Sequence, residues 1–171
     1  MKKKFEISGR MPVAFSLVEA FVSVVIVAGM LVAALSAVGA SRLSQQRTSE
    51  YSRGQLLAES LMAEILQQDY LDPNDTPVFG CESGESTSTR ADFDDVDDYD
   101  GWSSTPPVAK DGAQLVGLSG WQRSVTVKWV NPADTGEVKS SETNAKRVTV
   151  TVSCNNKQVG SLAAIRTNSG L

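Results

Sequence analysis

The sequence contains no histidine and only two cysteines among its 171 residues. The absence of histidine excludes Ser-His-Asp and Cys-His catalysis, histidine-ligated zinc and imidazole pH sensing. Two cysteines alone cannot complete a structural zinc site. The formal net charge of −4 disfavours a nucleic-acid partner, because such proteins normally present a basic surface. An enzyme would have to work with carboxylates, lysine or tyrosine, and we expect that the chain is not an enzyme.

The amino-terminal segment combines a basic leader with a long apolar run. Three lysines follow Met1, and Glu19 is the only ionisable residue in the stretch 15–40. A helix needs about 20 apolar residues to cross the hydrocarbon core of a bilayer, and residues 20–40 supply that length. A cleaved secretory signal would have a shorter apolar stretch, although the small residues AVGA at 37–40 leave this alternative open. Because positive residues stay on the cytoplasmic side, we expect a single membrane pass with the amino terminus inside.

The residues AFSLVE at positions 14–19, between the leader and the apolar run, resemble the class III signal of type IV pilins and type II secretion pseudopilins. The resemblance implies that a prepilin peptidase cuts between Ala14 and Phe15 and methylates the new amine of Phe15. It also implies that Glu19 has the assembly role of the family's glutamate. One departure is that the family residue before the cut is nearly always glycine, whereas this chain has Ala14.

Physical chemistry leaves two interpretations of Glu19 open. A carboxylate inside a membrane helix costs about 2.5 to 3.5 kcal/mol near the centre, and less near the interface. Glu19 could therefore lie at the interface and stay hydrated. Alternatively, it could pair with the Phe15 amine of an adjacent subunit, an ion pair that the low dielectric would strengthen.

A second resemblance covers residues 90–153 in patches. RADFDDVDDYDGW, LSGWQRSVTVKW and AKRVTVTV are similar to the minor pilin D group of the mannose-sensitive haemagglutinin (MSHA) pilus system. The resemblances together imply a minor structural and assembly subunit of a pilus or pseudopilus. Its expected partners are a prepilin peptidase, other pilin or pseudopilin subunits and the bacterial inner membrane, with the carboxy-terminal part in the periplasm.

The expected fold is α+β and pilin-like, with a long amino-terminal helix packed against a small antiparallel sheet. We divide the chain into a leader (1–14), a membrane-spanning half of the helix (15–40), an amphipathic half (41–72) and a β domain (73–171). Apolar residues recur at helical spacing in the amphipathic half, which predicts a stripe that packs under the sheet: Leu57, Ala58, Leu61, Met62, Ile65 and Leu66. We expect this helix to run to about Tyr70, with Gly54 as its weak point.

Alternation of apolar and polar residues predicts the strands of the β domain. Residues 121–130 and 146–153 alternate with valines on one face, which is typical of half-buried strands. Residues 131–145 are a polar connection. A turn at residues 154–157 leads to a third expected strand at 158–166.

The acidic loop, residues 82–105, contains six aspartates within the nine residues 92–100. Phe93, Val96 and Tyr99 recur every three residues and could anchor the segment, leaving the aspartates outward. Oxygen-rich clusters suit calcium, and the candidate ligands are Asp94, Asp95, Asp97 and Asp98. A solvated acidic loop without metal is the alternative. No other cofactor is indicated.

Cys81 and Cys154 both fall outside the membrane in this topology. An oxidising periplasm permits a disulfide, and closing so long a loop would contribute about 4 to 5 kcal/mol in the chain-entropy model. We therefore expect the two cysteines to pair.

Two functions of other classes compete with the pilin-like subunit. A signal-anchored periplasmic module could use the acidic loop to bind calcium or a basic ligand, and it would keep its leader. A carboxylate-based hydrolase would need a cleft with a carboxyl group of raised pKa, and nothing in the sequence positions such a cleft.

Overall fold

The computed structural model describes residues 16–72, 78–81 and 89–168. Contacts divide the chain into two units, Met1–Gln45 and Gln46–Leu171. The predicted processing site, Ala14 and Phe15, lies outside the described residues.

One helix, α1, spans Leu17–Ile65. No proline interrupts this stretch, so every residue beyond the first turn can donate to the helical ladder. The part of α1 that belongs to the first unit is long and apolar enough to cross a membrane, and none of that apolar stretch is buried. The structure therefore contains one candidate membrane-spanning helix near the amino terminus.

The last turns of α1 bury one face within the second unit. The buried residues follow the predicted stripe: Ala58, Leu61, Met62 and Ile65, with Gly54 above them. The helix ends before the expected Tyr70, because two tighter backbone bonds close its end. The amide of Gln67 donates to the carbonyl of Glu64 at 3.3 Å, and Gln68 donates to Ile65 at 3.1 Å. Such bonds satisfy carbonyls that a helix terminus leaves without partners.

Five antiparallel strands form the sheet: β1 (Ser103–Ser104), β2 (Trp121–Asn131), β3 (Asp134–Val138), β4 (Ala145–Cys154) and β5 (Lys157–Thr167). Their order is β1-β2-β4-β5, and β3 pairs with the end of β2. The layout is α+β, as predicted. Strand β3 lies in the stretch that we expected to be a polar connection. All five of its residues are exposed, so burial leaves no alternation by which the sequence could mark it.

The core lies between α1 and the inner face of the sheet. Val125 pairs with Val150, and Val127 pairs with Val148, so the valines of β2 and β4 lie side by side and all four are buried. Trp121 at the start of β2 belongs to the same core. The predicted inward phase of β2 and β4 is therefore confirmed.

Helix and sheet approach each other closely at two glycines. A Cβ atom on Gly54 would lie 2.8 Å from the carbonyl oxygen of Val159, and one on Gly160 would lie 2.7 Å from the carbonyl carbon of Gly54. Real Cβ contacts are not this short. Gly54, expected to be a weak point of the helix, is therefore the position that lets α1 touch β5.

Candidate functional site

The start of α1 is capped by Ser16. Its Oγ accepts a hydrogen bond from the backbone N–H of Glu19 at 3.2 Å. Serine at the N-cap with glutamate three residues later is the sequence of a capping box. A carboxylate in the first turn also faces the positive end of the helix dipole. The backbone of Glu19 thus takes part in the cap of α1. The predicted assembly role of its carboxylate depends partly on Phe15, which lies outside the described residues, and stays a prediction.

In the acidic segment, which we define as residues 90–100 of the acidic loop, aspartate side chains bond to nearby backbone groups. The Asp98 Oδ2 atom accepts N–H bonds from Asp94 at 3.0 Å and Asp95 at 3.1 Å. The Asp95 Oδ1 atom accepts N–H bonds from Asp97 at 2.7 Å and Asp98 at 3.3 Å. Aspartates favour such local bonds in turns. Here they lead into a single 3₁₀ turn, Asp97–Tyr99.

The predicted anchors are confirmed, but the predicted direction of the aspartates is wrong. Phe93, Val96 and Tyr99 are buried in the core. Three of the aspartates are buried with them: Asp95, Asp97 and Asp98. The reason is that their carboxyl oxygens accept bonds from amide groups, which would otherwise be buried without partners.

The calcium prediction does not agree with this geometry. The predicted ligands were Asp94, Asp95, Asp97 and Asp98, but oxygens of the last three face backbone N–H groups or a lysine. Across residues 16–72, 78–81 and 89–168, no group of three acidic or cysteine side chains is arranged to hold a metal ion. Because these carboxylate oxygens point inward, the segment lacks the converging oxygen ligands that calcium requires.

A buried lysine lies at the centre of the acidic segment. Lys146 occupies β4, its side chain is 1% exposed, and its Nζ atom forms an ion pair with Oδ1 of Asp97, whose side chain is 4% exposed. The same Nζ donates to the carbonyl oxygen of Tyr70 and lies 4.4 Å from the centre of the Tyr70 ring. The other oxygen of Asp97 accepts the N–H of Gly80 at 3.1 Å.

Sequence reasoning missed Lys146, although a signal was present. The residues of β4 that face inward are Val148, Val150 and Val152, and Lys146 precedes them in the same alternation. A charged residue in the buried phase of a strand requires a buried partner. The six aspartates of the acidic segment were the available candidates.

Asp95 has an unusual pKa within this cluster. The pKa of Asp95 is raised to about 8, first by burial and then by the charge of Asp97 and a hydrogen bond between the two carboxyl groups, while Lys146 opposes the shift. Two neighbouring carboxyl groups do not both ionise easily in a dry site. The carboxyl group of Asp95 therefore has a raised affinity for a proton beside Asp97.

A second buried pair ties α1 to the acidic segment. Arg90 is bidentate on Glu64, with Nε–Oε1 at 2.8 Å and Nη2–Oε2 at 3.1 Å. The hydroxyl of Tyr99 donates to the same Oε1 at 3.1 Å. The guanidinium of Arg90 also lies 4.2 Å from the centre of the Trp102 ring. Burial alone would raise the pKa of Glu64, but bonding to Arg90 and Tyr99 outweighs it and lowers the pKa.

The two cysteines occupy different surroundings. The Sγ of Cys81 donates to the carbonyl oxygen of Asp98 at 3.4 Å. Cys154 is buried at the end of β4, and its Sγ lies 3.7 Å from Nδ2 of Asn155. The structure does not join the two sulfur atoms in a disulfide, so the pairing of Cys81 with Cys154 stays a prediction.

Comparison with protein-family models, with curated proteins and with solved structures gives no match for this chain. What the chain does must therefore be inferred from its own residues.

Proposed function

We propose that the chain is a minor type IV pilin-like subunit, a structural and assembly component of a pilus or pseudopilus. The observation that carries the proposal is the continuity of α1. This helix begins at Leu17, within the signal-like residues 14–19, and carries Glu19 in its first turn. It contains both the apolar stretch and the stripe on which the sheet packs.

The proposed mechanism begins with the precursor in the inner membrane, with its basic leader in the cytoplasm. Prepilin peptidase removes residues 1–14, and the amine of Phe15 becomes a cation at the membrane face. Glu19 of a neighbouring subunit engages this amine, and the apolar helices then bundle together. Burial of their exposed side chains against one another provides the packing that lipid-embedded helices need to associate.

Within this class, a minor pilin is favoured over a type II secretion pseudopilin. The signal at residues 14–19 is common to both, so only the patches within residues 90–153 distinguish them. In this proposal the β domain lies on the outside of the filament or at its tip, where it contacts partner subunits.

The experiment that tests the proposal is the mass of the mature amino terminus. The full chain is expressed with and without a prepilin peptidase, extracted from membranes, and analysed by peptide mass spectrometry. We expect an amino-terminal peptide that begins with N-methylated Phe15 only when the peptidase is present. Ala14→Gly is the matched variant, because it restores the usual family residue and should be processed at least as fast.

Two other outcomes would contradict the proposal. An intact Met1 in the presence of active peptidase would indicate a signal-anchored periplasmic module. Cleavage near Ala40 would indicate a secreted soluble domain. Either result would remove the filament mechanism.

A further inference from the structure

Three groups meet in one buried cluster, and each has a different chemical capacity. Lys146 offers an amine, and Asp97 offers a carboxyl carbon. Asp95, whose Oδ1 accepts the N–H of Asp97 at 2.7 Å, offers a carboxyl group of raised pKa. The lysine comes from β4, whereas both aspartates come from the acidic segment, and Lys146 lies 49 positions after Asp97 in the sequence. The fold therefore brings a nucleophile, an electrophile and a proton carrier together from distant parts of the chain.

We propose that Lys146 and Asp97 form an intramolecular isopeptide bond, from Nζ to Cγ, without the help of another enzyme. The proposal does not depend on the pilin-like function, because all of its residues lie in the unit Gln46–Leu171.

The bond forms by condensation, and the atoms balance without any oxidant or co-reactant. A proton passes from the ammonium of Lys146 to the carboxylate of Asp97, which leaves an amine and a carboxylic acid. The amine attacks Cγ of Asp97 and forms a C–N bond. Asp95 then protonates the departing oxygen of Asp97, which leaves as water when the C–O bond breaks. The carboxylate of Asp95 recovers its proton from the nitrogen, so Asp95 ends unchanged.

Two further contacts favour this step. The N–H of Gly80 bonds to Oδ2 of Asp97, and it would stabilise the negative charge that develops on this oxygen during the attack. The carbonyl oxygen of Tyr70 holds the amine of Lys146 in place. When two reactants are held in contact and well oriented, their effective concentration can reach about 10⁵ M or more.

Burial distinguishes this arrangement from an ordinary surface ion pair. An ammonium group and a carboxylate that are removed from water lose their solvation, and the attraction between them often only offsets that loss. Conversion to an amide removes both charges. Water has little access to the product, because the side chains of Lys146 and Asp97 are only 1% and 4% exposed.

Mass spectrometry of the full chain, extracted in detergent and denatured, tests the proposal directly. We expect an intact mass below that of the sequence by one water molecule. Trypsin cuts after unmodified lysine and arginine, so it should release one branched peptide, in which residues 91–110 are joined to residues 140–147. Cleavage after Lys146 should be absent. Separate linear peptides 91–110 and 140–146 in the folded wild-type protein would overturn the proposal.

The branched peptide, rather than the lost water, decides the result. Asp100-Gly101 and Asp111-Gly112 could also lose water by closing to a succinimide, but neither reaction joins two peptides. A water loss confined to linear peptide 91–110 would therefore count against the isopeptide bond.

Two variants test the assigned roles. Lys146→Arg keeps the positive charge but removes the reactive amine, so the branched peptide should disappear while circular dichroism shows that the domain remains folded. Asp95→Asn keeps an oxygen that can accept the amide bonds of Asp97 and Asp98 but has no carboxylic proton. We expect at least a tenfold slower formation of the bond after refolding. Formation at the wild-type rate would overturn the role of Asp95.

Discussion

At the scale of single residues, the buried contact between Arg90 and Glu64 predicts a large loss of stability when Arg90 is replaced. Replacing Arg90 with methionine keeps much of its packing against Trp102 but leaves the carboxylate of Glu64 without its bidentate partner. Removing one member of a buried pair typically costs about 3 to 5 kcal/mol. Because the side chain of Glu64 is 21% exposed, we expect the lower end, about 3 kcal/mol, as measured by urea unfolding.

A double-mutant cycle with Glu64→Gln supplies the control. Glutamine retains an oxygen for the Tyr99 hydroxyl but carries no charge, so Arg90→Met should cost much less in that background. Equal costs of Arg90→Met in the two backgrounds would show that the two side chains do not interact energetically.

The pH dependence of Glu64 gives a separate prediction. The pKa of Glu64 is lowered in the folded state, so the contribution of its charge is complete above the unfolded pKa of about 4.3. This contribution is lost as the pH falls through the lower, folded pKa, because the unfolded chain then binds more protons. We expect the stability difference between the wild type and Glu64→Gln to be larger at pH 7 than at pH 3. A difference that stays constant with pH would contradict this assignment.

The buried charges also show which features of single residues the sequence did not predict. The spacing of Phe93, Val96 and Tyr99 predicted the anchors of the acidic segment correctly. The direction of the aspartates was wrong, because a polarity pattern does not reveal which carboxylates will cap backbone amides or face a buried lysine. Those partners come from β4, far away in the sequence, and only the phase of Lys146 hinted at them.

At the scale of elements, the contact between α1 and β5 depends on Gly54. In a helix, glycine to alanine normally stabilises by up to about 1 kcal/mol. Here the added methyl group would lie 2.8 Å from the backbone oxygen of Val159, and backbone cannot rotate away as a side chain can. We expect Gly54→Ala to destabilise the domain by about 1 to 3 kcal/mol, the usual cost of overpacking, as measured by thermal or urea unfolding.

Arg53→Ala is the matched control for this substitution. Arg53 precedes Gly54 in the same helix but is exposed, so its replacement by alanine should change stability by less than about 0.5 kcal/mol. If Gly54→Ala proved as mild as Arg53→Ala, the close approach of helix and sheet would not exist in solution.

The helix and the strands differ in how well the sequence predicts them. Strands β2 and β4 could be predicted because one buried face imposes alternation on each of them. Strand β5 was predicted from the turn that precedes it. Strand β3 could not be predicted, because it pairs with β2 while all of its side chains remain exposed. The stripe of α1 was visible in its spacing, but the tight contact at Gly54 was not, since it depends on Gly160 more than 100 positions away.

At the scale of the whole molecule, the two units have opposite relations to their surroundings. The second unit buries its apolar side chains in a core of its own. In the first unit, large apolar side chains remain exposed, including Leu17, Phe21 and Val25. A soluble protein rarely exposes so continuous an apolar surface, which is consistent with the first unit containing the candidate membrane-spanning stretch.

Glu19 is the one ionisable residue in that apolar surface, and its charge should control assembly. We expect Glu19→Gln to be processed normally, because the cleavage site is unchanged, but to enter filaments about tenfold less, the effect of losing roughly 1.4 kcal/mol of interaction. Sheared filaments and membranes are compared by quantitative immunoblotting, and the mature amino terminus is checked by mass spectrometry.

Ser16→Ala separates this role from helix capping. Alanine removes the hydroxyl that accepts the N–H of Glu19 and should cost about 1 kcal/mol of helix stability, but it leaves the carboxylate charge in place. If the charge of Glu19 pairs with the Phe15 amine of a neighbour, Ser16→Ala should assemble nearly as well as the wild type. Normal assembly of Glu19→Gln together with failure of Ser16→Ala would instead show that assembly requires the Ser16 cap and does not require the charge of Glu19.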